Sequence, residues 1–234
     1  MFKRIFKIFG YSFHKRHKTT NESEIIDLQI ERLKPNIIID CGANNGDFYK
    51  DLKKFKKKYI AFEPNPKLFN KLNKISQNDK KFLWFKKGTD KINCKKKIFL
   101  TSDTGQTLSS IKKQSPLLKE NFKKTEVFNE LNIELVSLYS MLVKLKISIK
   151  DKILLKLDTQ GNDYETLLGL KNRIKQVNII KIEMPVLHLY KNTKSHWKIL
   201  DFLKKNKFEP VHFINGPRDK YGKIIEYDVI FTKE

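Results

Sequence analysis

The chain has 234 residues, 39% hydrophobic and 12% aromatic, which suits one globular domain with a sizeable core and excludes a disordered polymer. No apolar run approaches the ~18–20 residues of a membrane-spanning helix. Two cysteines, Cys41 and Cys94, are too few for a disulfide framework or a zinc cluster, so reduced thiols and a cytoplasmic location are expected. The formal net charge of +23 favours an anionic partner, yet the lysines spread over most helix faces and a Lys-, Asn-, Ile- and Phe-rich composition accounts for it without nucleic acid.

The first stretch, "MFKRIFKIFGYSFHKRHK", carries six Lys or Arg and no acid. Phe2, Ile5, Phe6, Phe9 and Phe13 recur at helical spacing opposite Lys3, Arg4 and Lys7. That pattern fits a basic amphipathic helix of residues 1–18 lying on the inner membrane surface, or one docked on its own domain. Residues 1–24 are therefore set apart as a basic segment, and residues 25–234 as the main domain.

From Ile37 the pattern alternates. "IIID" reads as a strand buried on both faces, and "DFYKDLKKFKKK" as a helix with Phe48, Leu52 and Phe55 inward. "YIAFE" is a second strand, "PKLFNKLNKI" a helix with Leu68, Leu72 and Ile75 inward, and "FLWF" a third strand. "ILLKLD" and "NIIKIE" repeat the strand signature around the helix "DYETLLGLKNRI". "SHWKILDFLKKN" is the last helix; "FEPVHFI" and "IEYDVIFT" form an antiparallel pair across a Gly-Pro turn. Trp84 and Trp197 sit at periodic apolar positions and read as core. Residues 101–150 fit least well: "DTGQTLSS" is turn-rich, and the segment reads either as a lid-like insertion or as a strand and helix with weak signals. Strands alternating with helices imply a mostly parallel sheet covered on both faces, an α/β Rossmann-like architecture.

In such a sheet ligands bind at the carboxyl ends of the strands. "IIIDCGANNGDF" places Gly42 and Gly46 in the turn after the first strand. A pyrophosphate loop would need further glycines where Asn44 and Asp47 stand, and Asp47 at the helix N-terminus would repel phosphate. Glu63, ending the second strand about twenty residues further on, is placed to accept hydrogen bonds from ribose hydroxyls. Asp40 is placed to orient the loop or to reach an amino group. A glycine loop, a ribose acid and no phosphate site together describe S-adenosylmethionine, whose tail is a sulfonium amino acid. Another nucleoside-binding Rossmann protein is the competing reading.

"IIIDCGANNGDF", "YIAFEPNPKLFNKL", "LLKLDTQGNDYETLLGL" and "YDVIFT" together resemble the FkbM family of S-adenosylmethionine-dependent methyltransferases. The resemblance runs from about Ile37 to Thr232; Asp163 stands where the family has Glu, and Asn45 where it has an apolar residue. It implies a class I methyltransferase fold, with a seven-stranded sheet ending in an antiparallel hairpin. The implied activity is methylation of a hydroxyl on a sugar, glycan, glycolipid or related metabolite, as in polysaccharide biosynthesis. Asp40, Gly42, Asn44 and Gly46 match its cofactor loop, Glu63 its ribose acid, and Asp90 in "GTD" is the candidate for adenine.

Asp158 ends the fourth strand and Glu183 the fifth, so either is a candidate base, or the two together are candidate ligands for Mg2+. Asp158 could equally cap the next helix. His188 is a second candidate base, with a packed residue as the plainer alternative. Ser109 and Ser110 are candidates to line the acceptor pocket, or simply to form a turn. Two other functions stay open: an RNA methyltransferase, and a non-catalytic module held at membranes by residues 1–18.

Overall fold

Ile37, Ile38 and Ile39 leave no face of their strand for solvent, and β1 (Ile37–Cys41) is buried at every position. It pairs in parallel with β2 (Lys58–Phe62) on one side and β7 (Ile153–Leu157) on the other. The computed structural model describes residues 21–234, so the membrane-helix expectation for residues 1–18 lies outside the described residues. The central sheet has seven strands in the order β3-β2-β1-β7-β8-β10-β9, with β3 at Phe82–Phe85, β8 at Val177–Pro185, β9 at Glu209–Ile214 and β10 at Glu226–Thr232. Among the strands of this sheet β10 alone runs opposite to the rest, wedged between β8 and β9. The α/β Rossmann-like architecture with a C-terminal antiparallel hairpin is present.

The two sides of the sheet follow from the pleat, which sends successive side chains to opposite faces. Ile37, Ile39, Ile60, Phe62, Leu155 and Leu157 face one apolar layer. That layer is closed by α5 (Leu138–Lys144), α6 (Asp163–Leu168) and α7 (His196–Lys205). Ile38, Tyr59, Ala61 and Leu154 face the other layer, closed by α1 (Glu22–Leu33), α2 (Asp47–Leu52) and α3 (Phe69–Asn78). The helix α1 has no counterpart among the expected elements. Its signals are an Asn21 side chain capping the Glu24 amide at 2.9 Å and the inward triplet Ile26, Ile30 and Leu33.

The middle segment resolves into strands and short helices. β5 (Cys94–Thr101) and β6 (Val127–Val136) pair antiparallel, and β6 pairs with the two-residue β4 (Gly88–Thr89), forming a three-stranded second sheet. Between β5 and β6 come a loop and α4 (Pro116–Asn121). β5 was hidden because Lys95, Lys96 and Lys97 break the apolar run and all three are exposed. Trp197 corrects an expectation: it is 70% exposed, not core. Ile199 and Leu203 are the buried face of α7, and a residue two positions before Ile199 points roughly the opposite way around the helix. Trp84 is half-buried and packs against the second apolar layer.

Candidate functional site

The carboxyl ends of β1, β2 and β7 are tied together before any ligand is considered. The amides of Gly42 and Ala43 donate to the Phe62 carbonyl at 3.0 and 3.1 Å, and the Asp158 amide donates to the Cys41 carbonyl at 3.1 Å. Gly42 has φ +82°, and a Cβ added there would stand 1.9 Å from the Asp158 carbonyl oxygen. No other residue fits between those strand tips. Asn44 follows in the left-handed region at φ 47°, a conformation that asparagine tolerates best after glycine.

This turn borders a cleft with about 130 Å³ of free volume. Gly42, Asn44, Glu63, Thr89, Asp158 and Asn162 line it. Glu63 is 6% exposed and is fixed from two sides: Oε2 accepts the Asn44 amide at 2.8 Å and Oε1 accepts the Asn65 amide at 2.9 Å. A carboxylate has about four acceptor positions, so two backbone amides leave capacity for a ligand's hydroxyls. Burial pushes the Glu63 carboxyl up to about 7, against the pull of those amides. Asn44 Oδ1 and Asn162 Oδ1 are buried without a hydrogen-bond partner. Buried amide oxygens are rarely left so, and these belong to residues lining the cleft.

Lys156 is the functional residue that sequence reasoning passed over. It is 7% exposed in the middle of the otherwise apolar strand "ILLKL". Its Nζ donates to the Gly42 carbonyl at 2.8 Å and lies 3.2 Å from Asp40 Oδ1 and 3.3 Å from Asp158 Oδ2. Burial alone would depress the ammonium, but Asp40 and then Asp158 outweigh it and hold its pKa above the usual lysine value. The Tyr59 hydroxyl donates to the other oxygen of Asp40 at 2.6 Å. Asp40 is thus fully enclosed beneath the loop, acting on it through Lys156, and does not line the cleft. The signal was present: a lone lysine in a buried strand requires a carboxylate nearby.

Asp158 does line the cleft, with its side chain 40% exposed. Burial works against its charge, yet Lys156 and then Gln160 hold its carboxyl below the usual range, so it stays ionised. Gln160 Nε2 donates to Asp158 Oδ1 at 3.0 Å, while Gln160 Oε1 accepts from the Tyr190 hydroxyl at 2.7 Å. Asp158 does not cap the next helix, whose N-cap Asn162 makes no side-chain capping bond; Asp163 Oδ1 accepts the Thr159 amide at 2.9 Å and holds the turn before that helix.

The loop between β5 and α4 crosses the cleft. Asn65 Nδ2 donates to Gln106 Oε1 at 2.8 Å, and the Ser110 hydroxyl donates to the Gln160 carbonyl at 2.7 Å. Ser109 and Ser110 both line the cleft and both make turn contacts, so the two readings of these serines coincide.

Four candidates stand elsewhere. Asp90 is buried beside the cleft, but its carboxylate is engaged by Lys96 Nζ and the Lys91 amide, each at 2.6 Å, and Gly88 and Thr89 line the cleft in its place. His188 is exposed and outside the cleft; its carbonyl accepts from the Ser115 hydroxyl at 2.6 Å. Glu183 opens onto a separate small cavity with Glu226. Among the described residues no group of three or more His, Cys, Asp or Glu is arranged to hold a metal. With Asp158 committed to Lys156 and Gln160, and burial holding Glu183 well above the ordinary carboxyl value, the donor set does not fit Mg2+. Gly46 caps α2 in the left-handed conformation at φ 74° and packs on α3, without lining the cleft.

Several solved structures align with this chain over most of its length. Magnesium protoporphyrin IX methyltransferase from Synechocystis, with bound SAM, is 8% identical, with 100% of this chain and 91% of that chain covered and a TM-score of 0.46. An rRNA methylase from Streptococcus thermophilus is 9% identical over 93% and 99%, TM-score 0.47. Precorrin-6y C5,15-methyltransferase from Geobacter metallireducens is 10% identical over 95% and 94%, TM-score 0.43. None of the curated proteins compared matches the chain in sequence. No helix among the described residues is long and apolar enough to cross a membrane. The profile of the Methyltransferase FkbM domain matches residues 40–210, which takes in the Gly42 turn, Glu63, Lys156 and Asp158, and the chain belongs to that family of S-adenosylmethionine-dependent methyltransferases.

Proposed function

We propose that the chain is an O-methyltransferase that binds S-adenosylmethionine in the cleft and methylates a hydroxyl of a sugar, glycan, glycolipid or related metabolite. The observation that carries the cofactor half is Glu63, buried at the tip of β2 with two amides fixing it and acceptor capacity left over. Glu63 would hold the ribose, and Asn44 and Asn162 would complete the contacts with their unpaired oxygens.

When bound, the cofactor supplies a methyl carbon on a positive sulfur; transfer forms the carbon–oxygen bond as the carbon–sulfur bond breaks and its electron pair goes to sulfur. The chain's own part is alignment, worth several kcal/mol of barrier at roughly 7–11 in well-oriented reactions. Asp158, ionised and facing the cleft, receives the proton from the acceptor oxygen. A carboxylate of lowered basicity suffices, because the hydroxyl proton grows acidic as its oxygen gains the methyl group. The 106–110 segment, tethered to Asn65 and to the Gln160 carbonyl, would cover the bound cofactor and limit water.

Cytoplasmic placement, with residues 1–18 making a peripheral membrane contact, belongs to the same reading and is supported by their basic amphipathic pattern. Calorimetric titration of the full chain with S-adenosylhomocysteine, followed by an acceptor screen with methyl-labelled cofactor, tests the proposal. Saturable binding and label transfer to a hydroxyl compound are expected. A folded sample that binds no S-adenosylhomocysteine removes the proposal, and label found only in RNA redirects it.

A further inference from the structure

The Gln160–Gly161 turn borders both the cofactor cleft, through Gln160, and a second, smaller cavity, through Gly161. Gly161, Asp163, Glu183, Tyr190, Thr193 and Glu226 are among its lining residues. Gln160 reaches the first site through Asp158 and shares a wall of the second through the Tyr190 hydroxyl. There is room for about one water-sized group.

The chemistry of this cavity runs against that of the rest of the chain. Lys and Arg number 49 against 26 Asp and Glu, yet three carboxyls line this space and no Lys, Arg or His does. Neighbouring ammonium groups are committed elsewhere. Lys181 pairs with Asp228 at 2.5 Å, Lys156 with Asp40 and Asp158, and Lys112 with Glu165 at 3.3 Å. Buried carboxyls without a cation are costly unless a partner arrives. Burial pushes Glu226 up to about 7 and Asp163 to about 6; Glu226 and Glu183 hydrogen-bond to each other and Asp163 accepts from the Thr159 amide and hydroxyl, so protons rather than a cation meet these acids in the ligand-free chain.

A second observation is independent of the acids. Thr193 is 8% exposed, and its Oγ1 is buried without any hydrogen-bond partner. That oxygen stands 2.8 Å from where a Cβ on Gly161 would be, so it faces another residue lining the cavity. Glycine at 161, with φ +91°, keeps the hydroxyl open to the space. The oxygens do not form a metal cage among the described residues. An ammonium, with three donors at ordinary hydrogen-bond lengths, suits them better than a metal does.

We propose that this cavity, walled by Glu183, Glu226 and Thr193, is an acceptor subsite that takes a protonated amino group, so that the acceptor carries an ammonium near the hydroxyl that is methylated. The inference rests on the methyltransferase reading and narrows it from any hydroxyl compound to amino alcohols and amino sugars. A neutral hydroxyl would satisfy one carboxyl but relieve none of the repulsion among them.

The test uses the full chain saturated with S-adenosylhomocysteine at about pH 8, above the value of about 7 for Glu226. Ethanolamine and its neutral counterpart ethylene glycol are the probes, followed by ligand-observed NMR. Saturable ethanolamine binding is expected, with ethylene glycol weaker by about tenfold or more, as for loss of a charge-assisted hydrogen bond. Glu226→Gln should remove that preference and Thr193→Val should reduce it, while both keep the S-adenosylhomocysteine affinity of the parent, which also reports that they fold. Equal binding of the two probes, or a preference unchanged in Glu226→Gln, overturns the inference and leaves the cofactor reading standing. Failure of the folded parent to bind S-adenosylhomocysteine overturns both.

Discussion

Lys156 Nζ stands 3.2 Å from Asp40 Oδ1 and at the same time donates to the Gly42 carbonyl at 2.8 Å, so one buried ammonium holds the tip of β1 and the turn that leaves it. Replacing it by methionine keeps the length of the side chain but leaves Asp40 buried with only Tyr59 as partner. Lys156→Met should destabilise the fold by roughly 3–5 kcal/mol, the usual consequence of stranding one member of a buried pair. Urea denaturation measures it. A loss under about 1 kcal/mol would mean that the ammonium does not support the turn.

Glu63 makes its bonds through both oxygens, so an amide of the same shape can keep at most part of them. Glu63→Gln should weaken S-adenosylhomocysteine binding by about 1.5–3 kcal/mol, roughly ten- to a hundred-fold. Ligand hydroxyls favour the ionised carboxylate, so the parent's affinity should fall as pH drops through about 7. Calorimetry across pH on the parent and the variant separates the effects; an identical pH response in Glu63→Gln would assign the titration to another group.

Asp158→Asn should leave cofactor affinity within a few-fold of the parent and lower turnover by ~10²–10⁴, the span of general-base assistance. Single-turnover transfer to any acceptor found in the screen gives the rate, and titration gives the affinity. Normal turnover with weakened cofactor binding would reverse the roles assigned to Asp158 and Glu63.

Burial raises Glu63 and Glu226 to about 7 and Asp163 to about 6, above their values in an unfolded chain. Between those limits the folded state binds more protons than the unfolded one. Stability of the ligand-free protein should therefore be greatest near pH 5 and decline toward about pH 7–8 as these carboxyls ionise. Thermal denaturation at fixed ionic strength across that window checks the sign, and stability rising steadily to pH 8 would mean that burial does not raise these acids.

Sequence by itself determined the seven strands of the central sheet and the glycine turn after the first, because local chemistry dictates both. An unbroken "IIID" or "NIIKIE" can only be a strand covered on two faces, and the glycine, acid and asparagine spacing from Asp40 to Glu63 is a property of one βαβ unit. Tertiary structure alone decided what the charged residues do. Lys156 was visible as an anomaly in "ILLKL", but its three partners come from β1, the loop after it and the end of its own strand. His188 and Trp197 look informative in one dimension and turn out to face solvent, since exposure depends on what the rest of the chain packs against. The meeting of Glu183, Glu226 and Thr193 is likewise invisible along the chain, because β10 is inserted between β8 and β9 and sets residue 226 opposite Pro185, diagonally across from residue 183. Periodicity encodes which face of an element is buried; which charges share that burial is fixed only when the elements come together.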